Sequence, residues 1–391
     1  MPKRFVFIAS FYPEFLEDVY QDRPELARQP YNEQRQYLLD TCFALGDAYS
    51  ANLRALGCEA EDLICNADLL QLQWVRENRK DLLDHLDENI HDRRRQIIRA
   101  QVEAIEPDVV YVFEWSPLGD AFLHELKEVA PQLVGQVSST LPTNRTFDAY
   151  DMMLSSWPPI VEFFRRKGIR AEHFKAGFDE RILTSLQAVQ LQGVGAAASS
   201  GSLESTDQPS EHARSGETSY DVTFVGGFSP AHEARIPWLE SILAEVPVEI
   251  FGYGIERVPE GSPIHDYYRG PAWGTQMYDI LAGSKMTLHL QAEITVDGVP
   301  SRDFAAAMRF YEATGVGTCL VTEDKPNLSE MYVPGKEVLA YRSIEEAVEL
   351  IRTMLGDDEE RTRIADAGQT RTMSSHTYAV RMGELLTLLE S

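Results

Sequence analysis

Short apolar runs alternate with helical stretches along this 391-residue chain, and that alternation restricts the fold more than any other feature. Strands are expected at 4–9, 59–65, 109–113, 133–137, 152–155 and 172–175, then at 222–225, 248–251, 286–290, 318–321 and 338–340. Helical patterns fill the intervals, the longest over 34–56 and over most of 69–105. Strand, helix, strand in regular succession means parallel sheets covered by helices on both faces. Between the two series, residues 193–219 are rich in Gly, Ala, Ser, Glu and Thr and hold no aromatic, which reads as a linker or long surface loop. The chain is too long for one ordinary core and suits two domains. The expected architecture is therefore α/β, with two Rossmann-like domains facing across a cleft where the carboxyl ends of both sheets point. The expected division is an N-terminal domain over 1–185, a linker or loop over 186–219, a second domain over 220–375 and a C-terminal helix over 376–391 that packs back on the first domain.

Charge excludes some functions. A net charge of −26 repels phosphate backbones and anionic surfaces, so no nucleic-acid partner is expected. The cluster Arg93, Arg94 and Arg95 lies among Asp84, Asp87, Glu88 and Asp92 and reads as a solvated helix face. No apolar run approaches the roughly 20 residues that span a bilayer, so no transmembrane segment is expected. The apolar run after Arg4 is too short for a signal peptide and reads as a first strand. Cys42, Cys58, Cys65 and Cys319 show no Cys-x-x-Cys spacing and read as reduced core residues of a cytoplasmic protein.

Several constellations bear on chemistry. A strand ends in Gly226 and Gly227, and a helix carrying Arg235 opens shortly after. That arrangement suits a diphosphate at backbone N–H groups and a helix N-terminus, or equally a tight turn whose Arg faces solvent. Gly252 and Gly254 flank Tyr253 at the next strand end, where a base can stack or a strand simply turns. Arg309 and Glu312 are three apart on one helix face, just before a junction of Thr314, Gly315, Val316 and Gly317. A carboxylate there can accept both hydroxyls of a ribose while Arg309 meets phosphate; the bland alternative is an exposed ion pair worth little. In the first half, Ser10 and Tyr12 follow one strand, and Glu114 and Trp115 follow another. Glu114 is the candidate general base, and a solvated loop acid or helix cap is the competing reading. Ser10, Tyr12 and Trp115 are candidate acceptor contacts, against ordinary packing. His232, His289 and His376 have no metal-ligand spacing, and no phosphate-binding Gly-Lys-Ser/Thr loop or nucleophile elbow occurs.

The stretch from 221 to the C-terminus resembles the donor half of the group 1 glycosyltransferases of GT-B architecture. It is most similar to their spore-maturation-protein-type (CgeB-like) branch. The matching positions are Arg309, Tyr311, Glu312, Ala313, Gly315 and Gly317; Leu328, Glu330, Tyr332, Pro334, Gly335, Lys336, Glu337, Val338 and Tyr341; and Ile364, Ala365, Ala367, Gly368, Gln369, His376, Thr377, Tyr378 and Arg381. The resemblance implies a cytoplasmic, retaining glycosyltransferase that moves a sugar from a nucleoside-diphosphate sugar to a glycan, small-molecule or protein acceptor. It implies a donor site with Gly226, Gly227, Arg235, Tyr253, Gly254, Arg309 and Glu312, and base contacts near Arg269 and Gly270. No Asp-x-Asp triplet is present, so donor binding without a metal and with no further cofactor is expected, the sugar nucleotide being co-substrate. One departure stands out: the first of two glutamates that many relatives carry, eight residues before the position of Glu312, is Phe304 here. The alternative is a non-catalytic protein of the same fold that binds a sugar nucleotide or serves assembly; a sugar-nucleotide epimerase is a third reading.

Overall fold

The computed structural model of the chain describes residues 2–113, 118–186 and 219–390. It comprises two compact units: Met1–Lys175 with Thr295–Val299 and Met382–Ser391, and Ala176–Ile294 with Pro300–Arg381. The expected linker at 193–219, save its last residue, and the candidate residues Glu114 and Trp115 lie outside the described residues.

The first unit is built on a six-stranded parallel sheet: β1 (Arg4–Ala9), β2 (Glu59–Ile64), β3 (Val109–Val112), β4 (Gln132–Gln136), β5 (Met152–Ser155) and β6 (Ala171–His173). Their order is β2-β1-β3-β4-β5-β6. Phe5, Val6, Phe7 and Ile8 of β1 are all buried, the continuous apolar run of a strand covered on both faces. Phe7, Tyr49, Tyr111 and Phe113 pack edge-on and tilted around its carboxyl half.

Two long helices expected here are broken. Instead of one helix over 34–56 there are two, Tyr31–Asp40 and Ala48–Ala55. Between them Cys42, Ala44 and Gly46 all have positive φ, a backbone that no helix accommodates. The pattern over 69–105 likewise divides into Asp68–Asn78, a short 3-10 turn and Ile90–Ile105, whose Asn89 side chain caps the last helix by accepting from His91 and Asp92 N–H. Arg95 pairs with Asp92 on its own helix, whereas Arg94 grips Asp68 of another at 2.7 Å.

The second unit carries a five-stranded parallel sheet of β7 (Tyr220–Val225), β8 (Glu249–Phe251), β9 (Ser284–His289), β12 (Cys319–Glu323) and β13 (Leu339–Tyr341), ordered β13-β12-β9-β7-β8. A hairpin of β10 (Ile294–Val296) and β11 (Val299–Ser301) follows β9 in the chain, with Thr295–Val299 counted in the first unit. It was not expected, although its turn has the plain signal: Asp297 and Gly298 both adopt positive φ, as a two-residue hairpin loop requires.

Residues 176–185, expected with the N-terminal domain, fall in the second unit. Phe178 pairs with Thr377 as an isolated bridge, its N–H donating to His376 O at 2.8 Å and its carbonyl accepting from Tyr378 N–H at 2.9 Å. Arg381, buried, donates to Ala176 O at 2.9 Å and to His376 Nδ1 at 2.8 Å. His376 is thereby assigned a neutral ring whose Nε2–H donates to Met331 O at 3.0 Å. The Phe178 ring lies where a side chain on Gly315 would be, 2.3 Å from an ideal Cβ. Thr314, Tyr332 and Thr372 share their hydroxyls at 2.6–3.0 Å, and Gln369 donates to Gly315 O at 3.0 Å. Several of the matching positions after Glu312 therefore hold the second unit together. The last residues, Met382–Ser391, belong to the first unit, where Arg170 donates to Leu388 O at 2.6 Å.

Two glycines in the final helices test this packing with opposite signs. Gly→Ala in an open helix interior stabilises by about 1 kcal/mol. Gly383 has nothing within 4 Å of an added Cβ, so Gly383→Ala is expected to raise the melting temperature. At Gly368 the added Cβ would sit 2.4 Å from the Glu337 carbonyl oxygen, a backbone atom that cannot swing away. Gly368→Ala is expected to destabilise by about 1–3 kcal/mol in thermal or denaturant unfolding.

Candidate functional site

Strand order in the second unit reverses between β7 and β9, and a crevice opens outside the carboxyl ends at such a point. What fills the ends of these strands follows from four glycines. Gly226 N–H donates to Phe251 O at 2.8 Å, carrying the ladder with β8 beyond β7. Gly252, at φ +148°, lies so close that a Cβ would meet Gly226 O at 2.1 Å. A Cβ on Gly254, at φ +83°, would meet Phe228 O at 2.2 Å. Gly227 in turn leaves space for the Tyr253 ring, 2.4 Å from its ideal Cβ. The glycines admit the protein's own backbone and rings at the strand ends, which narrows the room expected there for a ligand.

Arg235 occupies the reversal itself. First residue of the helix Arg235–Leu243, it is only 9% exposed. Its Nη1 donates to Gly227 O at 2.6 Å and its Nη2 to Leu290 O at 3.4 Å, so one guanidinium spans the loops after β7 and β9. The ring of Phe224 lies beneath it at 5.5 Å. Its Nε has no hydrogen-bond partner, and no carboxylate pairs with it among the described residues. Burial pushes its pKa down to about 9; Tyr253 opposes that, and Arg309 and Arg302 add to it. The group is still charged at neutral pH, a buried cation awaiting a negative partner.

A pair and a triad of charges join it. Arg309 and Glu312, on the helix Arg309–Gly315, meet at 2.8 Å. The pair is buried, not the exposed one of the bland reading, with Glu312 6% exposed. Glu323, at the end of β12, is shared by Arg302 and Lys325, each at 3.1 Å, and also accepts Gln291 N–H at 3.0 Å. His289, last residue of β9, is buried beside them. Burial first, then Arg235, Arg309, His232 and Lys325, hold its pKa well below the ordinary range. His232, whose Nδ1 is 2.7 Å from Ser229 Oγ, is pushed down to about 3 by burial and by Arg235. Four cationic side chains thus stand against two carboxylates, an arrangement made for an anion with more than one charge.

The remaining candidates divide. Tyr253 stacks on Trp273, ring centroids 5.5 Å apart and planes 20° from parallel. Arg269 stands away from the cationic group, its guanidinium 2.6 Å from Glu249 at the start of β8. Its backbone runs beside β8, with Gly252 N–H donating to Gly270 O at 3.0 Å, and Gly270 makes the exit at φ +105°. In the first unit Ser10 and Tyr12 follow β1, beside the reversal between β1 and β3. Tyr12 is largely exposed with its ring edge-on to Phe43. Arg302, Lys325, Glu323 and His289 were not among the sequence candidates. Position at the end of a strand was the available signal for His289 and Glu323; nothing in the spacing marked Arg302.

Residues 235–387 match the family model described as glycosyl transferase-like. No curated protein sequence matches the chain. Among solved structures the chain is similar to Anabaena Alr3699/HepE in complex with UDP and glucose, with a TM-score of 0.54 at 13% identity over 99% of both chains. It is similar to sucrose-phosphate synthase from Thermosynechococcus elongatus, TM-score 0.52 at 12% identity over 99% of both. A third is AviGT4, a glycosyltransferase involved in avilamycin A biosynthesis, TM-score 0.52 at 14% identity over 99% of this chain and 96% of that one. At such identities the likeness shows the fold: mixed α/β with parallel sheets, of the GT-B kind.

If Arg235 is a cation held ready for an anion, the free protein is destabilised by it. A base whose folded pKa is depressed binds fewer protons folded than unfolded, so stability rises as pH climbs above about 9. Arg235→Met is expected to stabilise the free protein at pH 7 by about 1–3 kcal/mol and to remove any thermal shift caused by inorganic pyrophosphate. A lower melting temperature in the variant would mean that Arg235 chiefly braces the loops it bridges.

Proposed function

We propose that the chain is a glycosyltransferase that transfers a hexosyl group from a nucleoside-diphosphate sugar, with the donor bound at the reversal of the second unit. The observation that carries this reading is the unpaired, buried Arg235 among Arg302, Arg309 and Lys325 at the carboxyl ends of β7, β9 and β12, within a segment that matches a glycosyl transferase-like family. A neighbour of the same fold holds UDP and glucose, which supports a uridine nucleotide as the first donor to try.

In this reading Arg235, with N–H groups near Gly226 and Gly227, meets the diphosphate, and Arg302 and Lys325 neutralise its far side. Arg309 turns from Glu312 towards phosphate, which frees the Glu312 carboxylate for the ribose hydroxyls. Tyr253 and Gly254, with Arg269 and Gly270, border the base. The leaving diphosphate gathers charge as the glycosidic bond breaks, and cations fixed in a dry site stabilise that charge more than they stabilise the ground state. Side-chain cations therefore do the work that a divalent ion does elsewhere, and donor binding without a metal is part of the proposal. Glu114 is proposed as the base, with Ser10, Tyr12 and Trp115 as acceptor contacts. Retention of anomeric configuration and membership of the spore-maturation-type branch rest on the sequence resemblance. Four cysteines without a disulfide suit a cytoplasmic setting. No helix among the described residues is long and apolar enough to cross a membrane.

The test is a thermal-shift screen against UDP-glucose, GDP-mannose, dTDP-glucose and inorganic pyrophosphate. Ligand at about 100 times Kd adds roughly 2.7 kcal/mol. One sugar nucleotide is expected to stabilise the native protein, and Glu312→Gln to weaken it at least ~10-fold, about 1.4 kcal/mol, without weakening pyrophosphate. Release of free nucleoside diphosphate from that donor, lost in Glu114→Gln, is expected to separate a transferase from a protein that only binds. If no nucleotide shifts the melting temperature, the donor reading fails.

A further inference from the structure

His289 ends β9 at the reversal, and every part of it but one is engaged. Its Nδ1 lies 3.1 Å from Thr322 Oγ1 on β12. Its ring leans on Phe310 at 4.8 Å, and its carbonyl accepts from Tyr341 Oη at 3.1 Å. Nε2 makes no hydrogen bond among the described residues and is not sealed from solvent, although the side chain as a whole is only 5% exposed. Nδ1, the ring face and the carbonyl are all held, so Nε2 is the one polar atom of this residue open to a ligand at the reversal.

The charged groups on the elements packed around the ring are few. Arg235 and His232 come from the start of the helix Arg235–Leu243 and the turn before it; Arg309 and Glu312 come from the helix that carries Phe310; Glu323 and Lys325 come from the end of β12; Tyr341 comes from β13. Arg302 reaches the group through Glu323. We infer that Nε2 of His289 contacts the anionic ligand of this site, and that the ring takes a proton from solution when that ligand binds. This rests on the donor reading above.

The physical reason is a reversal of the local field. Without ligand, burial and the cations Arg235, Arg309 and Lys325 all disfavour an imidazolium. A diphosphate seated among those cations outweighs them at short range, and the charged ring becomes the favoured one. Thr322 accommodates both states. Its hydroxyl donates to Nδ1 when that nitrogen is bare and accepts from it when it is protonated, because a hydroxyl both gives and takes. The protonated ring then donates from Nδ1 to Thr322 and from Nε2 to a phosphate oxygen. A group whose pKa is raised on binding favours the complex at low pH, and the gain is lost as pH rises through the bound-state value.

Calorimetry of UDP-glucose, with GDP-mannose and dTDP-glucose in parallel, tests this from pH 6 to 8 in pairs of buffers differing in ionisation enthalpy. The diphosphate of these donors holds a constant charge across that range, so ligand titration does not interfere. The native protein is expected to take up close to one proton per donor at the acid end. Its affinity is expected to fall by up to about 10-fold per pH unit across the window. His289→Gln keeps an amide N–H near the Nε2 position but cannot take a proton; it is expected to bind with no proton uptake and a flat pH profile. The histidine ring resonances of the native protein give the same answer without a variant, one ring becoming charged on donor addition. Donor binding with heat independent of buffer, or unchanged proton uptake in His289→Gln, would overturn the inference while leaving the donor site intact. If none of the three donors binds, the donor reading falls and this inference with it.

Discussion

One guanidinium organises the second unit's reversal point. Arg235 links the carbonyls of Gly227 and Leu290, in the loops that follow two adjacent parallel strands. That bridge satisfies two carbonyl groups in a buried space, a gain smaller than the cost of the buried charge that comes with it. With it, the space acquires a positive charge that the protein does not cancel. The neighbours conform to that charge: Glu312 holds Arg309, Glu323 holds Arg302 and Lys325, and the two histidines are pressed towards neutrality. Stability and anion binding therefore pull in opposite directions at this residue.

Around this centre the glycines and motif residues have a division of labour. Gly226, Gly227, Gly252 and Gly254 let two loops approach within backbone contact, and Gly315 and Gly368 do the same for packing against Phe178 and Glu337. His376 and Arg381 tie residues 176–178 to the second unit through carbonyl groups. Only a minority of the matching positions, Arg309 and Glu312 first among them, are free to serve chemistry. A sequence motif records both duties without distinguishing them.

Much of the fold was legible because period and punctuation act locally. The strands of both sheets fall within a few residues of the apolar runs, and the buried runs Phe5–Ile8 and Met286–Leu288 show why: a parallel strand covered on two faces leaves no polar alternation to obscure it. The break between Asp40 and Ala48 was not legible, since Cys42 and Ala44 carry no side-chain mark of positive φ. The hairpin at 294–301 was legible in its Asp297-Gly298 turn. Of the site, Arg235, Arg309 and Glu312 were marked by the Gly-rich junctions beside them together with the family resemblance. Arg302, Lys325 and Glu323 were not, because their meeting depends on a loop returning to the end of β12.

The sequence by itself determined two series of parallel strands, their helices, and a glycosyl transferase-like second half, since each of these depends on residues close together in the chain. The tertiary structure alone decided which charges remain uncancelled. Pairing depends on distances between side chains brought from separate elements: Arg269 meets Glu249 and is neutralised, whereas Arg235 meets only carbonyl oxygens and is not. Burial then magnifies that difference, because a charge out of water keeps its field while one in water is screened.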